Sequence, residues 1–577
     1  MQRLLDKYRR TLTNQGSILS YAILGIVGGV ASGLIVLAFE RAIRELAAVW
    51  GVGGNGESFE ALPMWAIFAL PAGGALILGL VLSAIKPEDR ETGIIHVISR
   101  MDSHYGVLSL KNALVQFIGG AFALATGQSG GREGPGVHLG AAINSKLGQW
   151  LGLPNNSLRV LIACGTAGGI AAAFNTPLAG VIFAMEVIIA EYTVVGFIPI
   201  ILAAVSASAV SRTLSSGSML FMIPDVALNS LWEIPFIILL GICCGFAITA
   251  FITISKLSAR VLHWPIAIRF SLAGALTGGL GVLAPEILGI GYDTLNLVLH
   301  EELAIGLLLT IAVCKIVATS FSSGVGMPIG VIGPSLIIGA CVGGILGLLG
   351  QLIVPDLASD YTLYIVLGMA AAMGAILNAP LAAILAVIEL TQSVNIAMPA
   401  LLAIVAATLT NTGIFHQRSA HQTVLKQLQR LVPNDPVNQL LHRTDVSSNM
   451  EISVVKIPLL LLRSTAQPLL MATPTWCLIE RDTDPLYLIR GRELVQWLND
   501  NPAGDDEVAD LTEANIRRWS ISDVPIQATL RQTMDSMRSS TAEAACIYGR
   551  NSEGKRVLQG IVTRETIETF SLAGLHN

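Results

Sequence analysis

Two glycine-rich stretches decide the fold of this chain: GQSGGREGPGVHLGA, from Gly127 to Ala141, and GMPIGVIGPSLIIGA, from Gly326 to Ala340. At a constant offset of 199 residues they share six identical positions, four of them glycines. A second pair, NTPLAGVIFAMEV from Asn175 and NAPLAAILAVIEL from Asn378, follows in the same order at an offset of 203. Two matched blocks in one order indicate an internal duplication.

The composition indicates that the duplicated part lies in a membrane. Of the 577 residues, 53% are hydrophobic and only 13% are charged, whereas soluble domains carry about a quarter charged residues. Apolar segments follow one another from Ile18 to Phe415, and the chain becomes polar from His416 onward. We therefore predict an all-α polytopic membrane transport domain over residues 18–425 and a soluble domain over residues 426–577.

The first 17 residues are basic and precede the first apolar segment. They include four cationic side chains within eight positions: Arg3, Lys7, Arg9 and Arg10. Positive charge beside a membrane segment favours the cytoplasmic side, so residues 1–17 are predicted to form a cytoplasmic N-terminal segment. No signal peptide is expected, because the following apolar run is too long and has no small-residue cleavage site.

The paired glycine-rich stretches are interruptions between apolar helices. In transporters with internal repeats, interrupted helices of this kind line the substrate site near the middle of the bilayer. Free N–H groups at a helix start attract anions. Two helix starts, one from each half, are therefore predicted to converge on one small anion and to bind it through the backbone.

Glu133 stands at one of these predicted helix starts. An ionisable side chain inside a membrane costs about 2.5–3.5 kcal/mol on insertion scales, so a function is the default expectation. Its carboxylate would occupy the place of an anion and would release that place when protonated. The alternative is a structural ion pair between Arg132 and Glu133, although adjacent residues of a helix do not face each other.

These motifs resemble those of the CLC family of chloride channels and chloride/proton exchangers. GREGP from Gly131 to Pro135 matches the family's external-gate motif, GVIGP from Gly330 to Pro334 its chloride motif, and NTPLAG from Asn175 to Gly180 a third block. The resemblance covers the whole membrane domain. It implies an inverted-repeat CLC-type fold, a homodimer with a separate pore in each subunit, and transport of chloride or another small anion across a lipid bilayer.

The resemblance also assigns roles to individual residues. Glu133 takes the place of the gating glutamate, and Val331 and Ile332 take the places whose backbone N–H groups bind the central chloride. The full set of implied chloride-binding residues is Thr92, Gly131, Arg132, Gly134, Gly330, Val331, Ile332 and His421.

Three positions depart from the family pattern. Thr92, in ETGII, replaces a chloride-binding serine and keeps its hydroxyl. Val187 stands where exchangers of the family carry an inner proton-relay glutamate, so this position is lost. The pore-lining tyrosine is absent, and either His421 or Ala420 fills its place. The last two departures favour a passive channel.

Residues 426–577 resemble a pair of CBS domains, the usual cytoplasmic α/β appendage of CLC proteins. GIVTRETI is the better match, and TWCLIE and AACIYG are strand-like. Modules of this type that bind adenosine ligands place an acidic residue three positions after a Ser or Thr. Here Thr566 follows Thr563, and Arg490 replaces the hydroxyl of the first module. We therefore expect no nucleotide binding, and a regulatory or dimer-stabilising role instead.

A rival class is an intramembrane serine hydrolase, because GQSGG fits G-x-S-x-G around Ser129. That motif requires a preceding strand, which a membrane helix replaces here, and the repeat places Pro328 at the equivalent position. His138 has no metal or triad partner in view and is interpreted as a packed helix histidine. No enzymatic activity, cofactor, metal site or nucleic-acid partner is predicted.

The sequence thus favours a gated chloride channel of a bacterial inner membrane, with Glu133 as its pH-sensitive gate and both termini in the cytoplasm. The alternative is a chloride/proton antiporter with an unconventional proton route, and the remote alternative is the hydrolase.

Overall fold

The structure of the protein is a computed structural model. The structure describes residues 18–53, 56–103, 106–190, 194–215, 221, 227–300, 303–355, 358–428, 436–462, 474–481, 484–501, 508–550 and 555–574. The predicted cytoplasmic segment 1–17, with its four basic side chains, lies outside these residues.

The chain forms two compact units. One comprises residues Gln15–Leu151 and Leu158–Val432, and the other contains Gly152–Ser157 and Pro433–Asn577. The first is helical throughout its described part and contains the duplicated motifs. The second contains all eight described strands.

The membrane unit consists of seventeen described helices. The first eight are α1 (Ile18–Val49), α2 (Met64–Ser83), α3 (Gly93–Ser103), α4 (Leu110–Ala125), α5 (Glu133–Leu151), α6 (Asn155–Phe174), α7 (Pro177–Phe183) and α8 (Val194–Leu214). The next eight are α9 (Ile234–Ser258), α10 (Ile266–Leu283), α11 (Tyr292–His300), α12 (Ile305–Gly324), α13 (Ile332–Ile353), α14 (Tyr361–Leu377), α15 (Pro380–Thr391) and α16 (Ala397–Leu409). The last is α17 (Ala420–Gln427).

The order of the helices repeats after α8, which confirms the predicted duplication. Helices α5 and α13 begin 199 residues apart, and α7 and α15 begin 203 residues apart, as the two sequence blocks do. Within the described residues, nine helices are long and apolar enough to cross a bilayer. The shorter apolar helices, such as α4, α7, α14 and α15, suit segments that end inside the membrane domain.

Small residues let the helices of each half approach closely. An added Cβ on Gly140 would overlap the carbonyl of Gly165, and one on Gly339 would overlap the carbonyl of Gly368. The two contacts are equivalent in the repeat, joining α5 to α6 and α13 to α14. Backbone approach of this kind is how membrane helices pack without a hydrophobic driving force between them.

The C-terminal unit is an α/β structure. Its helices are α18 (Pro436–Arg443), α19 (Gly491–Asp500), α20 (Leu530–Ser539) and α21 (Arg564–Gly574). Its strands are β1 (Val454–Pro458), β2 (Leu460–Leu462), β3 (Trp476–Arg481), β4 (Asp484–Arg490), β5 (Val508–Asp510), β6 (Ile521–Pro525), β7 (Ala544–Arg550) and β8 (Arg556–Thr563).

Two similar three-stranded sheets organise this unit. In one the order is β1-β3-β4 and in the other β6-β7-β8, and β2 pairs with β5 in a separate ribbon. In each sheet the first two strands are parallel and the last two antiparallel. A helix follows the last strand of each sheet, so the predicted strand-then-helix rhythm of the two halves is confirmed.

Candidate anion site and gate

The two glycine-rich stretches meet at a backbone pair. The Gly131 N–H donates to the Gly330 carbonyl at 2.8 Å, and the Gly330 N–H donates to the Gly131 carbonyl at 2.7 Å. Reciprocal bonds between equivalent positions indicate a two-fold relation between the halves. Just beyond the pair, α5 begins at Glu133 and α13 begins at Ile332. Two helix starts therefore lie side by side, as the repeat predicted.

Only glycine fits beside this pair. A Cβ on Gly134 would lie 2.9 Å from the Gly330 Cα, which is closer than side chains tolerate. A Cβ on Gly333 would lie 2.8 Å from Glu133 Oε1. The glycines around Glu133 thus make room for its carboxylate against the other half.

The Glu133 carboxylate binds at the start of α13. It is fully buried, and it accepts a hydrogen bond at 3.2 Å from the Gly333 N–H. The hydroxyl of Tyr292 donates a second, short hydrogen bond to it. A carboxylate held by a free helix-start N–H occupies the kind of place where an anion binds, so the geometry matches the gate position inferred for Glu133.

Sequence reasoning missed Tyr292, although the repeat offers a signal for it. The offset of 199 that relates the two motifs also relates Gly93, the first residue of α3, to Tyr292, the first residue of α11. Tyr292 therefore stands at the start of a third helix of the repeated core, and its ring is buried. A tyrosine is typical of many core positions, so its contact with Glu133 required the tertiary structure.

Arg132 pairs with Glu40 rather than with Glu133. Its guanidinium lies 3.4 Å from the Glu40 carboxylate, donates to the Ala173 carbonyl at 3.1 Å, and lies 5.0 Å from the centre of the Tyr292 ring. The structural alternative of an Arg132–Glu133 pair is therefore replaced by an Arg132–Glu40 pair. Binding of an anion by Arg132 stays a prediction.

A polar cavity of about 910 Å³ adjoins Arg132 and Tyr292. Three further arginines and several carboxylates line it, including Arg41, Arg44, Arg212, Glu40, Glu57 and Asp293. The cavity places charged side chains of both signs beside Tyr292, whose hydroxyl bonds Glu133.

The start of α3 carries Thr92 and is tied to the α13 stretch by Gln116. The Gln116 side-chain carbonyl accepts from the Gly93 N–H at 2.7 Å, and its amide donates to the Pro328 carbonyl at 2.9 Å. Gln116 is a positioning residue that the sequence gave no reason to select. Thr92 is half-buried beside it, and its role as a chloride ligand stays a prediction.

His421 and Ala420 both lie in the first turn of α17, which packs against α3. The side chain of His421 is buried, and its Nδ1 has no hydrogen-bond partner in the part of the chain that the structure describes. Ala420 is the first helical residue. The choice between these two positions for the pore-lining place stays open.

Val187 lies in a π-helical turn, Ala184–Ile189, that follows α7. It is half-buried and packs against the apolar core. Turns of this kind are rare and frequently mark functional sites. The side chain offers no hydrogen-bonding atom, as the sequence indicated.

Glu186 and Glu389 cap each other's half of the repeat. Glu186 accepts from the N–H groups of Leu381 and Ala382, at 3.4 and 2.8 Å. Glu389 accepts from the N–H groups of Leu178 and Ala179, both at 2.9 Å. These donors lie in the first turns of α15 and α7. Each carboxylate thus caps a helix of the other half, which is a second reciprocal contact of the two-fold relation.

Ser129 is buried, and its hydroxyl shares a hydrogen bond of 2.8 Å with the Thr319 hydroxyl. The residue precedes α5 and follows helix α4, whereas the hydrolase elbow follows a strand. That the chain is not an enzyme stays a prediction.

The C-terminal unit contains a cleft of about 650 Å³ between its two sheets. Arg490 and Thr563 line it with Thr566, and the hydroxyls of the two threonines share a hydrogen bond of 2.9 Å. Both predicted module positions therefore open into one cleft. Arg490 lies 5.5 and 5.6 Å from the ring centres of Trp476 and Trp519.

The family model for voltage-gated chloride channels matches residues 74–412, which include both glycine-rich stretches. This protein belongs to the CLC family. The matched residues include Glu133, Val331 and Ile332, so the predicted membership is confirmed.

Alignments with two relatives in the CLC family span most of the membrane domain of this chain. The "Putative chloride channel protein ClcB-like" of Ralstonia nicotianae is 32% identical over 403 residues, which are 67% of this chain and 92% of the relative. The H(+)/Cl(-) exchange transporter ClcA of Vibrio cholerae is 29% identical over 449 residues, which are 75% of this chain and 96% of the relative.

Solved CLC structures share the fold. A slow cyanobacterial Cl-/H+ antiporter aligns with a TM-score of 0.63 and 20% identity, over 71% of this chain and 97% of its own. A eukaryotic CLC transporter aligns with a TM-score of 0.59 and 19% identity, over 95% of this chain and 97% of its own. The second alignment extends the fold likeness into the C-terminal unit.

Proposed function

We propose that this protein exchanges chloride for protons. The observation that carries the proposal is the Glu133 carboxylate, which is held at the start of α13 by the Gly333 N–H and the Tyr292 hydroxyl. One group that competes with an anion and also accepts a proton couples the two ions directly. The Vibrio cholerae relative, named as an exchange transporter, supports the same conclusion.

The exchange follows from competition for one place. The ionised carboxylate fills the helix start and excludes chloride. Protonation removes its charge and weakens its hydrogen bond to the Gly333 N–H, so the side chain leaves and chloride enters. When chloride departs, the carboxyl group loses its proton and returns. If the proton enters from one side of the membrane and leaves to the other, each cycle moves one proton in the direction opposite to chloride.

The passive channel is the second candidate. Val187 favours it, because an isopropyl group cannot carry a proton, and the Ralstonia relative is named as a channel protein. The named exchangers among the relatives favour the antiporter alternative over the channel that the sequence favoured. We therefore propose exchange as the function, and the passive channel is the alternative that the test below can support.

The cellular setting belongs to the same proposal. We infer a homodimer in the inner membrane of a bacterium, with a separate path in each subunit and both termini in the cytoplasm. The resemblance to CLC proteins and the bacterial relatives support this setting. Light scattering of the detergent-solubilised protein measures the oligomeric state, and labelling of engineered cysteines from either side measures the orientation of the termini.

Glu133→Gln tests the exchange mechanism. In liposomes, a chloride gradient is expected to drive protons uphill through the wild type, and acid is expected to increase the chloride flux. The variant mimics the protonated carboxyl, so it should carry chloride at every pH and move no protons. Glu88→Gln, at an exposed carboxylate outside the site, is the matched control and should behave as the wild type.

The two candidates give different results in this experiment. If the wild type carries chloride without proton movement, the protein is a channel and exchange is wrong. If wild type and Glu133→Gln respond equally to pH, Glu133 is not the gate.

A further inference from the structure

Two buried histidines form a direct pair beside the gate helix. His96 lies on α3 and His138 on α5, and both are nearly inaccessible to solvent. The His96 Nδ1 lies 2.8 Å from the His138 Nε2. Imidazole is the side chain that most readily gains and loses a proton near neutral pH, and each ring can accept a proton at one nitrogen while it releases another.

The neighbouring arginine fixes which nitrogens carry hydrogen. The Arg100 Nε–H donates to the His96 Nε2 at 3.2 Å, so that nitrogen is an acceptor. The His96 proton is then on Nδ1 and is donated to the Nε2 of His138. The proton of His138 must therefore be on its own Nδ1.

The Nδ1 of His138 is the unsatisfied end of this chain of bonds. It is buried and has no hydrogen-bond partner among the described residues. A buried N–H without an acceptor costs free energy, so a partner that accepts a hydrogen bond from it stabilises the arrangement. The same partner is in place to take the proton. His138 follows Glu133 by five residues on the same helix, a rise of about 7.5 Å. The two side chains also lie about 140° apart around the helix axis, so the last transfer, from the His138 Nδ1 to Glu133, needs a chain of water molecules or a movement of the Glu133 side chain.

The other end of the pair reaches solvent through Glu91. The Glu91 carboxylate lies 3.8 Å from the His96 Nε2, and 27% of its side chain is exposed. Glu91 can therefore exchange protons with water and also reach the pair. Other charged or titratable groups lie on the helices around the His96–His138 pair. They are Arg100 on α3, Arg159 on α6 and His421 on α17, and Arg159 donates to the Met101 carbonyl.

We propose that Glu91, His96 and His138 form the proton relay to Glu133, in place of the carboxylate missing at Val187. The inference rests on the proposed exchange function. It replaces the interpretation of His138 as a packed helix histidine. Glu186, next to Val187, cannot serve instead, because both of its oxygens accept backbone N–H bonds at the start of α15.

The transfer balances in protons. Glu91 gives a proton to the His96 Nε2 as the Arg100 bond opens. The His96 Nδ1 releases its proton to the His138 Nε2, and the His138 Nδ1 releases its proton towards Glu133. One proton enters and one leaves, and both rings end in the opposite tautomer. Rotation of both rings restores the starting tautomers without returning the proton.

The test measures chloride and proton fluxes of the full-length protein in liposomes, for the wild type, His96→Gln, His138→Gln and Glu91→Gln. Each histidine variant should lose at least tenfold in proton flux, whereas its chloride flux should stay within about twofold, because Glu133 can still take its proton from the side of the membrane opposite the relay. Glu91→Gln should slow protons in the same direction, and it leaves the buried pair intact if a histidine variant does not fold. His300→Gln, at an exposed histidine on α11, is the control.

The outcomes separate the relay from the exchange function. Proton pumping by the wild type that persists in both histidine variants overturns the relay and leaves exchange in place. Absence of proton pumping in the wild type overturns exchange itself. Equal losses of chloride and proton flux in every variant indicate a structural role and also overturn the relay.

Discussion

At the scale of single residues, the proposed gate is a carboxylate at one helix start that is held by groups from two others. Glu133 begins α5, Gly333 lies in the first turn of α13, and Tyr292 begins α11. Such an arrangement requires the glycines around it, because added side chains would fill the space of the carboxylate. The run of glycines next to Arg132 and Glu133 is therefore explained by the close approach of the two halves.

Tyr292→Phe removes one of the two groups that hold the Glu133 carboxylate in place. A hydrogen bond to a charged group is worth about 1.5–3 kcal/mol, so the carboxylate should leave its site more easily. We expect chloride flux at pH 7.5 to rise by about tenfold, measured as chloride efflux from liposomes.

Tyr364→Phe is the matched control for this prediction. The Tyr364 hydroxyl donates a similarly short hydrogen bond to a buried carboxylate, that of Glu233, but neither residue contacts Glu133. Its chloride flux should equal that of the wild type. A Tyr292→Phe variant that is no faster than this control contradicts a gating role for the tyrosine.

At the scale of secondary-structure elements, the duplicated helices are joined by reciprocal contacts. Glu186 caps the start of α15 and Glu389 caps the start of α7. A carboxylate at a helix start satisfies free N–H groups and interacts favourably with the helix dipole. Each half of the repeat thus completes a helix of the other half.

Glu389→Gln and Glu186→Gln should each lower stability by about 0.5–2 kcal/mol, the usual range for a lost helix cap. Both caps join the same pair of helices, α7 and α15, so the double variant measures how far the two effects are coupled. Thermal unfolding of the detergent-solubilised protein measures the change. The ratio of chloride to proton flux should stay at the wild-type value.

That ratio distinguishes a cap from a proton relay. Glu60→Gln, at an exposed carboxylate in the loop before α2, is the control for stability. If Glu186→Gln uncouples protons from chloride without changing the melting temperature, Glu186 carries protons and the interpretation as a cap is wrong.

At the scale of the whole molecule, a membrane domain is followed by an α/β unit with its own apolar core. The buried apolar side chains of that unit form separate clusters around the two sheets. We propose that it is a CBS-like pair with a regulatory or dimer-stabilising role. The paired sheets and the cleft lined by Arg490 and Thr563 support this proposal.

Millimolar ATP should leave the stability of the C-terminal unit unchanged. The position where modules that bind adenosine ligands place an acidic residue holds Thr566, whose hydroxyl already bonds that of Thr563. A ligand at a hundred times its dissociation constant would stabilise the unit by about 2.7 kcal/mol, which hydrogen exchange of β6–β8 in the full-length protein detects readily. Increased protection with ATP, ADP or AMP contradicts this prediction. The comparison variant is Thr566→Asp, measured with AMP.

The family, the membrane domain, the duplication and the place of Glu133 at a helix start follow from the sequence alone. Each depends on local patterns: apolar segments of spanning length, glycines at constant spacing, and a charge inside an apolar region. The sheets of the C-terminal unit are also visible as alternating strand-like and helix-like runs. Such signals survive in one dimension because they concern neighbours along the chain.

Only the tertiary structure decided which side chains meet. Tyr292 reaches Glu133 across 159 residues, Gln116 ties α3 to Pro328 across 212, and His96 pairs with His138 across 42. These partners are common residues in unremarkable surroundings, so no local pattern selects them. The two-fold packing of the halves brings helix starts together, and the low polarity of a membrane interior forces buried polar groups to find each other, because no bulk water is available to satisfy them.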